Sequence, residues 1–290
     1  MQYNHRRSMM IRRICCIYFS PTENTKKLAL AAAGHIAREY NLPLQEVDFT
    51  KKDKRSQLYE FGSEDFVILA VPTYAGKLPN MILPDFKGNL RGDGTPAAAM
   101  VTFGNRSFDN SLAELVQLMK DGGFYPMGGA AFVCRHAFTD LLAPDRPNVD
   151  DYEQAKDFAL KCFKLANDER TGEKRLDLQV EGDAAAPYYV PKGTDGQPAK
   201  FLKAKPLTDR DKCTNCGLCA RICPMASINP EDVTEVYGIC IKCQACIKGC
   251  PEGAKYFDDK SFLSHVAMLE QTFTGKKENR FFYIKQDIQE

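Results

Sequence analysis

Eight of the chain's twelve cysteines fall in two matching runs. Cys213, Cys216, Cys219 and Cys223 are followed by Pro224, and Cys240, Cys243, Cys246 and Cys250 are followed by Pro251. Both copies read C-x2-C-x2-C-x3-C-P. Thiolates at this spacing ligate iron–sulfur cubanes, with the fourth cysteine of each run reaching the other run's cluster. The pattern predicts two [4Fe–4S] clusters, one held by Cys213, Cys216, Cys219 and Cys250, the other by Cys240, Cys243, Cys246 and Cys223. Structural zinc is the rival, since C-x2-C pairs also bind it, but zinc takes four ligands with a long gap between pairs. Here three cysteines fall within seven residues, twice, with no interleaved histidine. Two-residue gaps let a loop curl around a cubane with its N–H groups aimed at the sulfurs. Gly217 and Gly249 are expected to supply freedom at φ. Ile222, Ile239, Ile241 and Ile247 are expected to exclude water.

A second constellation lies near the start. Ser20-Pro21-Thr22-Glu23-Asn24-Thr25 follows an apolar run and opens a helical pattern. Hydroxyls and N–H groups at a helix N-terminus make an anion site. With no P-loop lysine, this is not a nucleoside-triphosphate loop. It resembles the flavodoxin FMN-phosphate loop, with Glu23 where glycine is usual. Pro72-Thr73-Tyr74-Ala75-Gly76-Lys77 and Thr102-Phe103-Gly104-Asn105-Arg106 follow two later apolar runs. Tyr74 is placed to stack on an isoalloxazine ring. Gly76 and Gly104 would let backbone approach the ring, Asn105 would bond its polar rim through backbone or side chain, and Arg106 would stabilise a reduced anionic flavin.

The elements that must position these groups alternate. Strands are predicted over 12–19, 44–49, 66–71, 97–103 and 130–134. Helices are predicted over 24–40, around Leu112–Met119, and around Tyr152–Ala166. Ser111 and Glu114 offer a capping box for the second helix. The crossover over 50–65 is short. Five strands with intervening helices predict a flavodoxin-like doubly wound parallel α/β sheet of order 2-1-3-4-5, whose ligands lie outside the strands' carboxyl ends. A small α+β ferredoxin domain follows. The predicted boundaries are an α/β domain over 10–167, a Gly/Pro-rich linker over 168–206, a ferredoxin domain over 207–257 and a helical tail over 258–290. Tyr188 and Tyr189 indicate that the linker packs on a domain.

Formal net charge is +1 in 290 residues, so bulk electrostatics favours neither nucleic acid nor a membrane surface. No apolar run approaches the roughly 18 residues of a spanning helix. Arg6 and Arg7 precede an apolar stretch too short for a signal peptide. Cys15, Cys16, Cys134 and Cys162 read as buried apolar side chains. Thiols needed free for iron fit a reducing, anaerobic cytoplasm.

These loops, both cysteine runs and the tail make the chain similar to the bacterial ferrodoxin family, a flavodoxin-like domain fused to a two-cluster ferredoxin. The resemblance implies FMN, two [4Fe–4S] clusters and electron transfer to redox partner proteins, with no nucleic acid and no membrane span. Two other readings stay open. One is a flavin-dependent reductase of a quinone or small oxidant, fed by its own clusters. Of His5, His35, His136 and His265, only His136 is expected near the sheet's carboxyl edge. In the other, Glu23 marks a domain that no longer takes FMN.

Overall fold

The computed structural model describes residues 11–168 and 176–285; His5, Arg6, Arg7 and Gly172 lie outside them. The chain opens with β1 (Arg13–Tyr18), α1 (Asn24–Glu39), β2 (Leu44–Asp48), the one-turn α2 (Lys52–Arg55), β3 (Tyr59–Phe61) and β4 (Asp65–Pro72). It continues with α3 (Leu83–Asn89), β5 (Leu90–Gly92), β6 (Thr95–Phe103), α4 (Ser111–Asp121), β7 (Phe124–Val133) and α5 (Val149–Ala166). Strands β2-β1-β4-β6-β7 lie side by side and parallel. Counted among themselves, they have the order 2-1-3-4-5 of a flavodoxin-like sheet.

The central strands show why. β6 is buried at every position and β4 at all but Pro72, as strands covered on both faces must be. Helix α1 buries Leu28, Ala32 and Ile36, spaced four apart along one stripe. Cys15, Cys16, Cys134 and Cys162 are all buried free thiols.

Past the linker come β8 (Leu207–Thr208), α6 (Leu218–Arg221), α7 (Ala245–Lys248), β9 (Lys255–Tyr256), α8 (Lys260–Thr272) and β10 (Arg280–Tyr283). The tail is therefore helical only as far as Thr272. β10 returns to the α/β sheet and pairs antiparallel with β7, Phe281 opposite Ala130 and Tyr283 opposite Gly128. This covers an edge whose N–H and C=O groups would otherwise be open. Asn279 pins the return: its Oδ1 accepts from Val133 N at 2.8 Å, and its Nδ2 donates to Asp151 at 2.7 Å and Gln154 at 2.8 Å.

The capping box is also elsewhere than expected. Ser111 Oγ donates to Phe108 O and meets Thr73 Oγ1, while Glu114 accepts from Leu78 N and pairs with Lys77. The reciprocal box belongs to Asn148 and Asp151, at the start of α5. No described helix is long and apolar enough to cross a membrane.

Candidate functional site

A cavity of about 500 Å³ opens at the carboxyl ends of β1, β4, β6 and β7. Pro21, Thr22, Asn24 and Thr25 line one end, and Pro72, Thr73, Tyr74 and Gly76 line the next stretch. Phe103, Gly104 and Arg106 continue the wall. Ten of the nucleotide-loop residues expected from sequence thus meet in one space. They are Thr22, Asn24, Thr25, Pro72, Thr73, Tyr74, Gly76, Phe103, Gly104 and Arg106.

Two do not line it. Ser20 is buried and holds its own loop together, its Oγ accepting from Lys26 N at 3.0 Å and its N donating to Thr50 Oγ1 at 2.8 Å. Asn105 spends its amide on the tail, donating to Phe273 O at 2.6 Å and Gly275 O at 3.0 Å. The glycines carry a different reason from the expected one. A Cβ on Gly76 would stand 2.3 Å from Asp109 Oδ2, and one on Gly104 would stand 2.4 Å from His136 Cδ2. Protein neighbours crowd both positions.

The anion loop fits a phosphate. Among the described residues the N–H groups of Thr22, Asn24 and Thr25 have no protein acceptor, and they stand at the N-terminus of α1, where the dipole favours negative charge. Thr25 Oγ1 shares a 2.7 Å hydrogen bond with Thr102 Oγ1. Glu23 takes the left-handed conformation, φ 69°, that glycine usually supplies. Its carboxylate points away, pairing with Lys26 Nζ at 3.3 Å, and it is absent from the cavity wall.

Tyr74 links this cavity to the cysteines. Burial drives its hydroxyl well above the ordinary phenol range, with Cys243 and Cys240 adding to the effect. Ile239, Cys240, Ile241, Lys242 and Cys243 form part of the same cavity wall. Arg106 is bound to the Asp109 carboxylate, and its guanidinium lies 4.0 Å from the centre of the Tyr189 ring. The linker is strapped across this wall: Tyr188 donates to Leu78 O at 2.7 Å, Tyr189 N donates to Ala75 O at 2.8 Å, and Lys77 Nζ donates to Ala184 O and Ala186 O.

The eight repeat cysteines gather in two sets. Cys213, Cys216, Cys219 and Cys250 surround one small cavity; Cys223, Cys240, Cys243 and Cys246 surround another. Each set takes its fourth member from the other run. Among the described residues no three His, Cys, Asp or Glu side chains converge as a single ion would need; four thiols around a cavity suit a cluster better than a point charge. Burial pushes the Cys246 thiol up to about 12, with Cys240 and Cys223 adding and Lys255 opposing. Lys255 itself is buried and donates to Val233 O and, at 2.7 Å, to Thr208 Oγ1. Gly217 has the expected positive φ, 72°, but Gly249 does not, at −89°. A Cβ on Gly249 would fall 2.5 Å from Ile222 Cδ1, so close packing explains it. Ile239 is exposed, and Ile228 and Val233 are the fully buried aliphatic neighbours instead.

Sequence reasoning missed the far end of the cavity. His136, singled out only for lying beyond the last parallel strand, lines it with Phe138, Phe201 and His265, its ring against Phe138 and Phe201 stacked on His265. These come from three separated segments, so no local pattern announces them. Burial, with His265, Arg106 and Lys248 adding, lowers His136 to about 4.

Comparisons with known proteins agree with this division. Residues 206–229 and 237–253 each match a family model described as a 4Fe-4S binding domain. A 47-residue stretch, 16% of this chain, is 38% identical to pyruvate synthase subunit PorD of Methanothermobacter marburgensis. The match spans 57% of that subunit, little over half its length. A flavodoxin from the domain Archaea is 18% identical, over 55% of this chain and 100% of that one, at a TM-score of 0.39. Rubredoxin oxygen:oxidoreductase of Desulfovibrio gigas is 15% identical, over 55% of this chain and 37% of that one, at 0.36. The fold assignment rests on the strand order itself. The class is then defined: a flavodoxin-like α/β domain fused to a pair of 4Fe–4S binding segments, an architecture for electron transport.

Proposed function

We propose that the protein is an electron carrier that holds one FMN at the sheet's carboxyl edge and two [4Fe–4S] clusters on the crossed cysteine sets. The observation that carries this reading is a shared wall. The segment 239–243 brings Cys240 and Cys243 of one cysteine set to the cavity that the phosphate-type loop also enters. Bound FMN supplies exchange of electrons singly or in pairs, and cubanes supply single-electron exchange. The chain's own part is placement. The N–H groups of Thr22, Asn24 and Thr25 hold the phosphate, and Tyr74 packs between the flavin space and the nearer cysteine set. Fusion in one chain keeps the two sites at fixed separation, so exchange needs no encounter.

Cys216 is exposed, which supports contact with redox partner proteins at the outer cysteine set. A partner oxidoreductase complex fits the likeness to a pyruvate synthase subunit, and a reducing cytoplasm suits the free thiols. The reductase reading needs an acid beside the flavin. His136, lowered to about 4, is neutral at ordinary pH and offers a hydrogen bond rather than a ready proton, so the carrier reading is preferred. Anaerobic purification with iron, sulfide and flavin counts tests it. About eight iron atoms per chain and one FMN are expected; bound zinc, or no flavin absorbance after incubation with FMN, overturns it.

A further inference from the structure

The end of the cavity farthest from the anion loop holds two histidines whose tautomers are set by the backbone. His136 Nδ1 accepts from Phe138 N at 3.1 Å. An acceptor nitrogen carries no proton, so in the neutral ring Nε2 is the donor. His265 Nδ1 meets Lys192 O at 2.8 Å. A carbonyl only accepts, so Nδ1 carries the proton and Nε2 presents a lone pair. Among the described residues neither Nε2 has a protein partner, and both residues line the cavity. The cavity thus has one unspent donor and one unspent acceptor at the same end.

Both rings are held in place. Gly104 leaves room for His136 against its Cα, and Phe138 meets that ring edge-on at 5.2 Å. His265 is stacked on Phe201 at 5.4 Å, and Phe138 touches it at 6.4 Å. Burial, with Arg106 nearby, also keeps His265 below its ordinary value, so the pair stays neutral. The anion loop follows β1 and His136 follows β7, three strand spacings away in the sheet, roughly 14 Å. An elongated ligand with its phosphate at the first place presents its other end at the second. The side chain expected to read that end, Asn105, is committed to the tail.

We propose that His136 and His265 read the polar edge of the isoalloxazine ring, His136 Nε2–H donating to a ring carbonyl and His265 Nε2 accepting from the ring N3–H. This rests on the FMN reading above. It makes the site specific for a flavin with a free imide, and it places a residue of α8, beyond the cluster segment, in the flavin site.

The test uses the full chain, reconstituted anaerobically, with binding followed by flavin fluorescence for FMN and for 3-methyl-FMN, whose N3 cannot donate. Wild type is expected to prefer FMN about tenfold, the size of one buried hydrogen bond. His265→Ala is expected to lose that preference. His136→Ala is expected to weaken both flavins alike, and His136→Gln, which keeps a donor, to recover most of the loss. Equal binding of the two flavins by wild type, or a preference that survives in His265→Ala, overturns the inference while leaving FMN binding intact. Binding of neither flavin overturns the FMN reading and this inference with it.

Discussion

The two cysteine runs share a backbone and differ in their neighbours. Asn215 and Lys242, 27 residues apart, have φ 54° and 56°; Gly217 and Gln244 have 72° and 67°; Ala226 and Gly253 have 50° and 58°. Three left-handed positions recur at one offset, although glycine fills only one of the pair at two of them and neither at the third. Spacing of the ligands, not residue type, dictates the loop. What separates the runs is context. In the first, Cys216 is exposed; in the second, Cys240 and Cys243 face the cavity at the sheet's carboxyl edge and crowd Tyr74. A duplicated ligand geometry thus yields an outward and an inward site through packing alone.

Replacing one ligand in each run is the strongest way to break that comparison. Cys243→Ser and Cys216→Ser are each expected to lose one cluster, about half the iron. Only Cys243→Ser should also alter FMN affinity, because its loop is part of that wall; iron assay with flavin titration reads both effects.

The inward side also has a pH signature. His136 faces His265, Arg106 and Lys248. Its folded value lies below its unfolded 6.5, so above pH 6.5 both states are neutral and no difference arises. As pH falls from 6.5 towards about 4, the unfolded chain takes the proton first and stability drops. The loss is up to about 3 kcal/mol. Denaturant unfolding across that window should show it, and His136→Phe should flatten it.

Lys255 sharpens the comparison differently, because it acts on Cys219 of one set and Cys246 of the other. Lys255→Met removes a buried cation and is expected to lower both cluster potentials by roughly 50 mV. A shift in only one would show that the lysine serves one run. The smallest effect is expected from Gly217→Ala, where only Arg221 stands near the added Cβ. Left-handed strain of about 1 kcal/mol should appear as a lower midpoint of thermal unfolding, with iron content unchanged.

Local signals were legible and distant ones were not. The cysteine sets follow from three- and four-residue steps, and the parallel strands from continuous apolar runs such as Phe66–Val71. Those patterns are written where they act. β10 could not be placed, because Arg280–Tyr283 finds its partner some 150 residues earlier in β7, and nothing in its composition names that edge. Ser111 and Glu114 match a capping box by spacing, yet tertiary partners at Thr73, Leu78 and Lys77 outcompete the helix end. The Asn105 side chain was hidden for the same reason: its loop is readable, its tail partners Phe273 and Gly275 are not.

The last strand makes the iron-binding portion an insertion within the α/β unit rather than an appendage to it. During vectorial synthesis β7 waits with a raw edge until everything through Tyr283 has emerged and docked. Cutting the gene after α5 to obtain a free-standing α/β domain would leave that edge exposed and prone to intermolecular pairing. Maturation of one half is thereby tied to completion of the other.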